Sequence, residues 1–235
     1  MKEELVKKIL QDTEVGYDLI SEKFSQTRNR FWRGLEFIQN FTPENGQVLD
    51  FGCGNGRLVE ILLDKNVNYV GVDVCENLIN SAKKSVAGLR ESRKLQFLKI
   101  ENDFKKLPFP SELFDSIYSI AVFHHLPSNA LRLEILRELH RLLKKDGFIV
   151  LTVWDLWQSR YRKNIFKNWQ AKILNKSELD FNDCYVSFTD NQGSVFNRFH
   201  HAFTKYELKR LLEKSGFRVI KCQKIKGNIV VIGKK

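Results

Sequence analysis

The stretch VLDFGCGNGRL, residues 48–58, decides the fold. An apolar run ends at Asp50, then Gly52, Gly54 and Gly56 follow at alternate positions before an amphipathic segment begins. Glycine lets a backbone turn tightly and lets a ligand approach it closely. A helix that starts after such a turn offers free N–H groups to an anion. The spacing is GxGxG. The dinucleotide fingerprint needs GxGxxG, and its third glycine position is Arg57 here, which speaks against NAD. No GK[ST] follows, so a P-loop is excluded too.

Outward from this turn the chain alternates short apolar runs with helical patterns. GRLVEILLDKN (56–66) reads as a helix and NYVGVDV (68–74) as a second strand ending near Asp73. An acid at that height accepts hydrogen bonds from both hydroxyls of a ribose. ENLINSAKKSVAGL (76–89) reads as a helix, LQFLKI (95–100) as a third strand and SIYSIAVF (116–123) as a fourth. SNALRLEILRELHRLLKKDG (128–147) is a helix with Ser128 as cap and Gly147 as stop, and GFIVLTVW (147–154) is a fifth strand. TKYELKRLLEKSG (204–216) is a last helix, and FRVIKCQKI with NIVVIG forms a closing hairpin. Such alternation implies a parallel sheet with right-handed crossovers, joined by one antiparallel strand.

Two regions stand outside that rhythm. The first forty residues read as helical, including RFWRGLEFIQNF (30–41), before a turn at Pro43, Asn45 and Gly46. Residues 154–203 contain no clear strand–helix unit, and so long an insertion in a compact fold is usually functional. The expected organisation is therefore an N-terminal helical extension, 1–42, forming part of the substrate cleft, and an α/β domain, 43–235, with a recognition insert at about 154–203.

Composition narrows the class. The 235 residues carry 39 basic and 28 acidic side chains, a net charge of +11, which is read either as a site for a polyanionic partner or as a merely basic surface. No apolar run approaches the roughly 18 residues that span a bilayer, and MKEELVKKILQDTEVG lacks a signal-peptide core. The four cysteines form no CxxC pair, so reduced thiols in the cytoplasm are expected and a structural zinc is not.

The glycine turn with Asp50 and Asp73 resembles that of the class I S-adenosylmethionine-dependent methyltransferases. The resemblance extends through NDFKKLPFPSELFDSIYS, residues 102–119. It implies a Rossmann-like seven-stranded, mostly parallel sheet of order 3-2-1-4-5-7-6, with helices on both faces and an antiparallel last strand. The implied cofactor is S-adenosyl-L-methionine. Its expected contacts are Asp50, Gly52, Gly54, Gly56, Asp73 and Val74, with Asp103 on the adenine amino group, Phe104 near the ring, and Ser119 and Ile120 at the methionine end.

Three further segments narrow the resemblance: Tyr17-Asp18 with Ser25-x-Thr27-Arg28 and Trp32; Ile120 to His125; and Arg198-Phe199-x-His201-x-Phe203. They are similar to the eukaryotic tRNA methyltransferases that esterify carboxymethyluridine at the wobble position, including the methyltransferase half of the fused AlkB-type enzyme. Asn29, Phe31, Arg33 and His200 depart from that pattern. The resemblance implies a tRNA substrate, substrate contacts from Trp32, Arg198 and His201, and a small zinc-binding activator protein, for which the edge strand 95–100 is the candidate seat.

The residues themselves add to this. LWQSRYRKNIFKNWQAKILNK (156–176) holds six basic residues and no acids, interleaved with Trp157, Tyr161, Phe166 and Trp169. Arg160 and Arg162 can neutralise phosphates while aromatics stack on unpaired bases. The alternatives are an amphipathic helix packing its aromatics on the core, or a membrane-surface helix. Arg28 and Arg30 can grip a carboxylate or a phosphate bidentately, or form surface ion pairs.

The histidine pairs, 124–125 and 200–201, invite a metal, but neighbours on a strand point to opposite faces and no cysteine or acid shell accompanies them. No metal is expected. His124, just after the fourth strand, is expected to face the acceptor. With a carboxylate acceptor, already ionised at neutral pH, its role is orientation; with a hydroxyl or amine it is a base. Alignment of nucleophile and methyl alone supplies up to about 7–11 kcal/mol. The competing readings are a small-molecule O- or N-methyltransferase with the 154–203 insert as its lid, and a non-catalytic cofactor-binding protein, against which the complete glycine–aspartate set argues.

Overall fold

The computed structural model describes residues 1–28, 30–88, 94–189, 193 and 195–235. Asn29, Leu89 at the end of the second expected helix, and 190–192 and 194 of the insert lie outside the described residues. A seven-stranded sheet carries the molecule. In chain order its strands are β1 (Gln47–Phe51), β2 (Asn68–Asp73), β3 (Leu95–Lys99), β4 (Phe114–Ile120), β5 (Leu143–Trp154), β8 (Arg218–Ile225) and β9 (Asn228–Lys234). Their order across the sheet is β3-β2-β1-β4-β5-β9-β8. The pairs from β3 to β5 are parallel, and β9 runs antiparallel to both β5 and β8. This is the expected order, with β3 at one edge.

Each central strand is apolar on both sides because both faces are covered. Leu49, Phe51, Ile117, Ile149 and Leu151 point into one core, closed by α4 (Asn129–Leu142) and α6 (Lys205–Lys214). Val48, Tyr69, Tyr118 and Val150, one residue out of phase, point into the other, closed by α2 (Val59–Leu62), α3 (Glu76–Ser85) and the segment around Leu35 and Ile38. Ser128 caps α4, accepting from the Leu131 N–H, and Thr204 caps α6, accepting from the Glu207 N–H.

Some elements differ from expectation. The N-terminal α1 runs unbroken over Glu3–Thr27, but residues 30–41 hold only a 3-10 turn, Glu36–Phe41, because Gly34 at φ +85° stops helical propagation. Helix α4 ends at Leu142, and Gly147 lies within β5, where a Cβ would press on the Asp115 carbonyl. The insert does have regular structure: α5 (Ser159–Ile173), then a hairpin of β6 (Asp183–Thr189) and β7 (Val195–His201). Leu156, Ile165, Cys184, Val186 and Ala202 give it a small core of its own, on which Trp157, Tyr161 and Trp169 pack. Those aromatics are thus committed to packing, while Phe166 stays exposed. No helix among the described residues is long and apolar enough to cross a membrane.

Candidate active site

The glycine turn opens at the carboxyl ends of β1 and β2, where open α/β sheets bind ligands. The Gly52 N–H donates to the Val72 carbonyl at 2.8 Å, and the Gly54 N–H donates to Asp73 Oδ2 at 2.8 Å. Asp73 Oδ1 accepts from the Cys75 N–H at 2.9 Å. Asp73 is thereby fixed with both oxygens at the cleft wall, and burial raises its pKa. Gly52 sits at φ +78° where a Cβ would overlap Val122, so only glycine fits. Gly52 and Gly54 line the cleft. Gly56 does not; a Cβ there would crowd Phe97, so its role is close helix–strand packing.

Asp50 is buried, with the Tyr69 hydroxyl donating to Oδ2 at 2.6 Å and Oδ1 without a partner. Burial, and then the nearby Asp73 charge, push its carboxyl up to about 7 against the opposing pull of that hydrogen bond. Asp50 lines the cleft, and its orphaned oxygen lacks the polar partner that a buried oxygen needs. Val74, Phe104 and Ile120 also line the cleft, whereas Asp103 and Ser119 do not. Asp103 is exposed and accepts from the Lys105 N–H at 3.2 Å; its neighbour Asn102 is the polar side chain that turns inward. Ser119 is enclosed in the sheet.

Helix α1 forms the facing wall through Thr13, Tyr17 and Phe24. Asp18 anchors it, accepting from the Cys75 thiol at 2.8 Å and the Asn77 N–H at 3.1 Å. The remaining wall comes from the hairpin, whose Arg198 is 4% exposed and enters the cleft beside Tyr17 and Trp154.

The histidines are arranged differently from expectation. His124 and His125 lie in a 3-10 turn, Phe123–His125, not on a strand, so both rings fall on the same side, 4.3 Å apart. The turn is set by Ala121 at φ +61°, a strained position held by its N–H donating to the Thr152 carbonyl at 2.9 Å. His125 lines the cleft and His124 does not. His124 is fully enclosed, stacked on His200 at 5.1 Å, with Nδ1 accepting from the Trp154 N–H at 3.3 Å. Burial and the neighbouring histidines push His124 well down, and burial and Arg198 push His125 down to about 3. Ring nitrogens of His124, His125 and His200 come within 4.8 Å of one another. The Arg198 charge beside them disfavours a second cation.

Of the expected substrate residues, Arg28, Trp32 and Arg198 meet in the cleft. Arg30 is exposed outside it, and Arg160 and Arg162 are exposed on α5. His201 is not a cleft wall: Nδ1 pairs with Asp183 at 2.6 Å and Nε2 with Glu207 at 2.7 Å, clamping the hairpin to α6. Sequence reasoning missed Arg57, noticed only as the residue that breaks the NAD fingerprint. Its guanidinium lies 3.2 Å above the Trp32 ring and 6.0 Å from Phe24. Arg28 lies 4.7 Å over the other neighbour of that ladder, Phe24, and 6.0 Å from Phe188, which Arg198 approaches at 5.0 Å. Arginines and aromatic rings thus alternate along one wall. Burial, and then Arg28, lower Arg57 to about 9, and burial lowers Arg28.

The cleft is lined by the glycine turn, the ends of β2 and β4, helix α1 and the hairpin, an arrangement of apolar walls with a few convergent polar groups that suits a small-molecule cofactor. The orphaned Asp50 oxygen, the fixed Asp73 carboxylate and the apolar Val74–Phe104 flank fit the amino-acid, ribose and adenine parts of S-adenosylmethionine. Residues 23–222 match the family model described as a methyltransferase domain. A tRNA (carboxymethyluridine(34)-5-O)-methyltransferase of Schizosaccharomyces pombe is 27% identical over 227 residues, 93% of this chain and 94% of that protein. Among solved structures, a SAM-dependent methyltransferase of Methanosarcina mazei superposes with TM-score 0.71 at 22% identity, over 88% of this chain and 98% of that one. A chain of the complex between the Haloferax volcanii Trm112 methyltransferase activator and a methyltransferase superposes with TM-score 0.64 at 16% identity, over 94% and 95%. At these identities the two structures speak to the fold. This chain belongs to the methyltransferase domain family and is an S-adenosylmethionine-dependent methyltransferase.

Proposed function

We propose that the chain methylates the carboxylate of a carboxymethyl-type uridine at the wobble position of tRNA, forming a methyl ester. The observation that carries this reading is Arg198, a buried guanidinium at the cleft wall whose Nε has no hydrogen-bond partner and which pairs with no acid among the described residues. A buried unpaired cation is costly, and an acceptor carboxylate relieves it with charge-assisted hydrogen bonds. The likeness to the Schizosaccharomyces pombe enzyme along nearly the whole chain supports the same acceptor.

Bound in the cleft, S-adenosylmethionine supplies an electrophilic methyl group. Asp50, Asp73 and the glycine turn hold it. Arg198 and the Tyr17 hydroxyl orient the acceptor, and Trp154 and Phe24 exclude water. No base is required, because a carboxylate is ionised at neutral pH. That agrees with His125, whose Nδ1 donates to the Phe199 carbonyl at 2.9 Å and whose Nε2 is engaged by Tyr17.

Helix α5 extends the reading to tRNA: Arg160, Arg162 and Lys167 are exposed on a helix without acids, suited to backbone phosphates. Residues 1–42 serve as part of the substrate cleft and 154–203 as the recognition insert. The open edge of β3 is the proposed seat of a small zinc-binding activator; that a chain of the same fold is found in complex with a methyltransferase activator supports a partner of this kind. Four unpaired cysteines fit work in the reducing cytoplasm. Mass spectrometry of tRNA nucleosides from cells with and without the protein tests the reading. Loss of the wobble methyl ester is expected; an unchanged ester content overturns it.

A further inference from the structure

The arginine–aromatic wall holds more positive charge than a carboxylate acceptor uses. Arg57, Arg28 and Arg198 face one cleft, and none forms an ion pair with an acid among the described residues. The acids on the cleft wall are Asp50 and Asp73. Asp73 carries one negative charge and spends its oxygens on two backbone N–H groups, and burial raises the Asp50 carboxyl to about 7, so the wall holds at most two negative charges against three guanidinia. The cofactor, with a sulfonium, an ammonium and one carboxylate, adds a net positive charge. One acceptor carboxylate cancels only that addition, so a guanidinium is left over.

The position of each rung says which one. Arg57 belongs to the glycine turn and stacks on Trp32, at the cofactor end. Arg198 is buried beside Tyr17 and Trp154, at the acceptor end. Arg28 lies between them, half-buried at the mouth of the cleft, sandwiched by Phe24 and Phe188. Among the described residues its one hydrogen bond to a side chain goes from Nη1 to the exposed Thr27 hydroxyl at 3.0 Å. Aromatic faces hold a guanidinium in place without neutralising it, which leaves its N–H edge for an anion.

Building on the acceptor proposed above, we infer that Arg28 binds a phosphate flanking the methylated nucleotide, so that the cleft selects a nucleotide with two anionic groups over a nucleoside with one. Recognition of the acceptor then includes the RNA backbone at the reacting residue itself, before any contact with α5. A bidentate guanidinium–phosphate pair at a partly desolvated site is worth about tenfold or more in affinity.

The test measures binding through the fluorescence of the tryptophans on this wall, Trp32 and Trp154. The probes are 5-carboxymethyluridine, its 5′-monophosphate and its 3′-monophosphate, with uridine and its two monophosphates as a second series. One of the two monophosphates should bind about tenfold tighter than its nucleoside in both series. Arg28→Gln should bring that ratio close to one, and Arg28→Lys should keep part of it. Equal affinity for nucleoside and both monophosphates overturns the inference, as does a ratio that survives Arg28→Gln. Phosphate discrimination in both series together with no methyl ester formed on tRNA that bears 5-carboxymethyluridine at position 34, with an activator supplied, keeps this inference and defeats the acceptor reading. Near-ultraviolet circular dichroism checks that the variants remain folded.

Discussion

The Tyr17 hydroxyl and His125 Nε2 lie 2.8 Å apart, joining α1 to the turn after β4 across the cleft. The Phe199 carbonyl only accepts, so His125 Nδ1 carries the proton and Nε2 accepts from Tyr17. The Tyr17 oxygen in turn receives the Arg198 Nη1 donor at 3.4 Å. Helix, turn and hairpin are linked at one hydroxyl.

Tyr17→Phe removes that link without changing the ring. Buried His125 Nε2 loses its donor, at a cost of about 1–3 kcal/mol. The expected outcome is lower stability in urea, together with a several-fold rise in the acceptor KM as Arg198 loses its guide. Unchanged values for both contradict the role given to Tyr17.

The pH dependence of methyl transfer separates orientation from base catalysis. Burial and the Arg198 charge hold His125 at about 3, so it stays neutral across the assay range. The rate with saturating substrates should be flat between pH 6.5 and 8. A limb rising with an apparent pKa near 6.5 would indicate a histidine base and an acceptor that carries a proton.

Acid stability tests the buried histidine cluster. His124, His125 and His200 all have folded pKa values below the ordinary 6.5, with burial the largest cause. Below pH 6.5 the unfolded chain binds protons that the folded one refuses, so stability falls as pH falls. Asp50, raised to about 7, works in the opposite direction between pH 3.8 and 7, so a difference measurement is needed. His200→Leu should flatten the slope of unfolding free energy between pH 4.5 and 5.5 by about one proton, roughly 1.4 kcal/mol per pH unit. An unaltered slope means His200 titrates normally.

Cofactor binding tests the glycine turn. Gly52→Ala places a methyl group against Val122 at a backbone angle that L residues avoid. Asp73→Asn weakens the ribose site and disturbs the Gly54 and Cys75 N–H partners. Calorimetry should find affinity for S-adenosylmethionine reduced at least tenfold in each. Wild-type affinity in Asp73→Asn contradicts its ribose role.

What the sequence disclosed follows from how local each signal is. Gly52, Asp50 and Asp73 were legible because a tight turn between strand and helix is written into adjacent residues. The sheet order followed from the alternation of elements. The facing histidine was not legible: strand alternation was extended past Ile120, whereas Ala121 turns the chain into a 3-10 turn. His201 looked like a ligand residue because its partners Asp183 and Glu207 arrive from other elements. Asp103 and Ser119 carried family expectations that depend on a side chain's direction, which residue type alone does not set. Arg57 was hidden by its neighbours, since its role comes from Phe24 and Trp32 on a different segment.

The central claim is methyl ester formation on tRNA. Its most direct test supplies the protein with isotopically labelled S-adenosylmethionine, tRNA bearing 5-carboxymethyluridine at position 34, and an activator of the Trm112 kind. Nucleoside mass spectrometry follows, with and without mild alkali, which hydrolyses an ester and spares N-methyl and ether-type O-methyl groups. Label on the position-34 nucleoside that alkali removes is the expected result. Label that resists alkali, or label that enters free small-molecule acids and leaves the tRNA untouched, contradicts it.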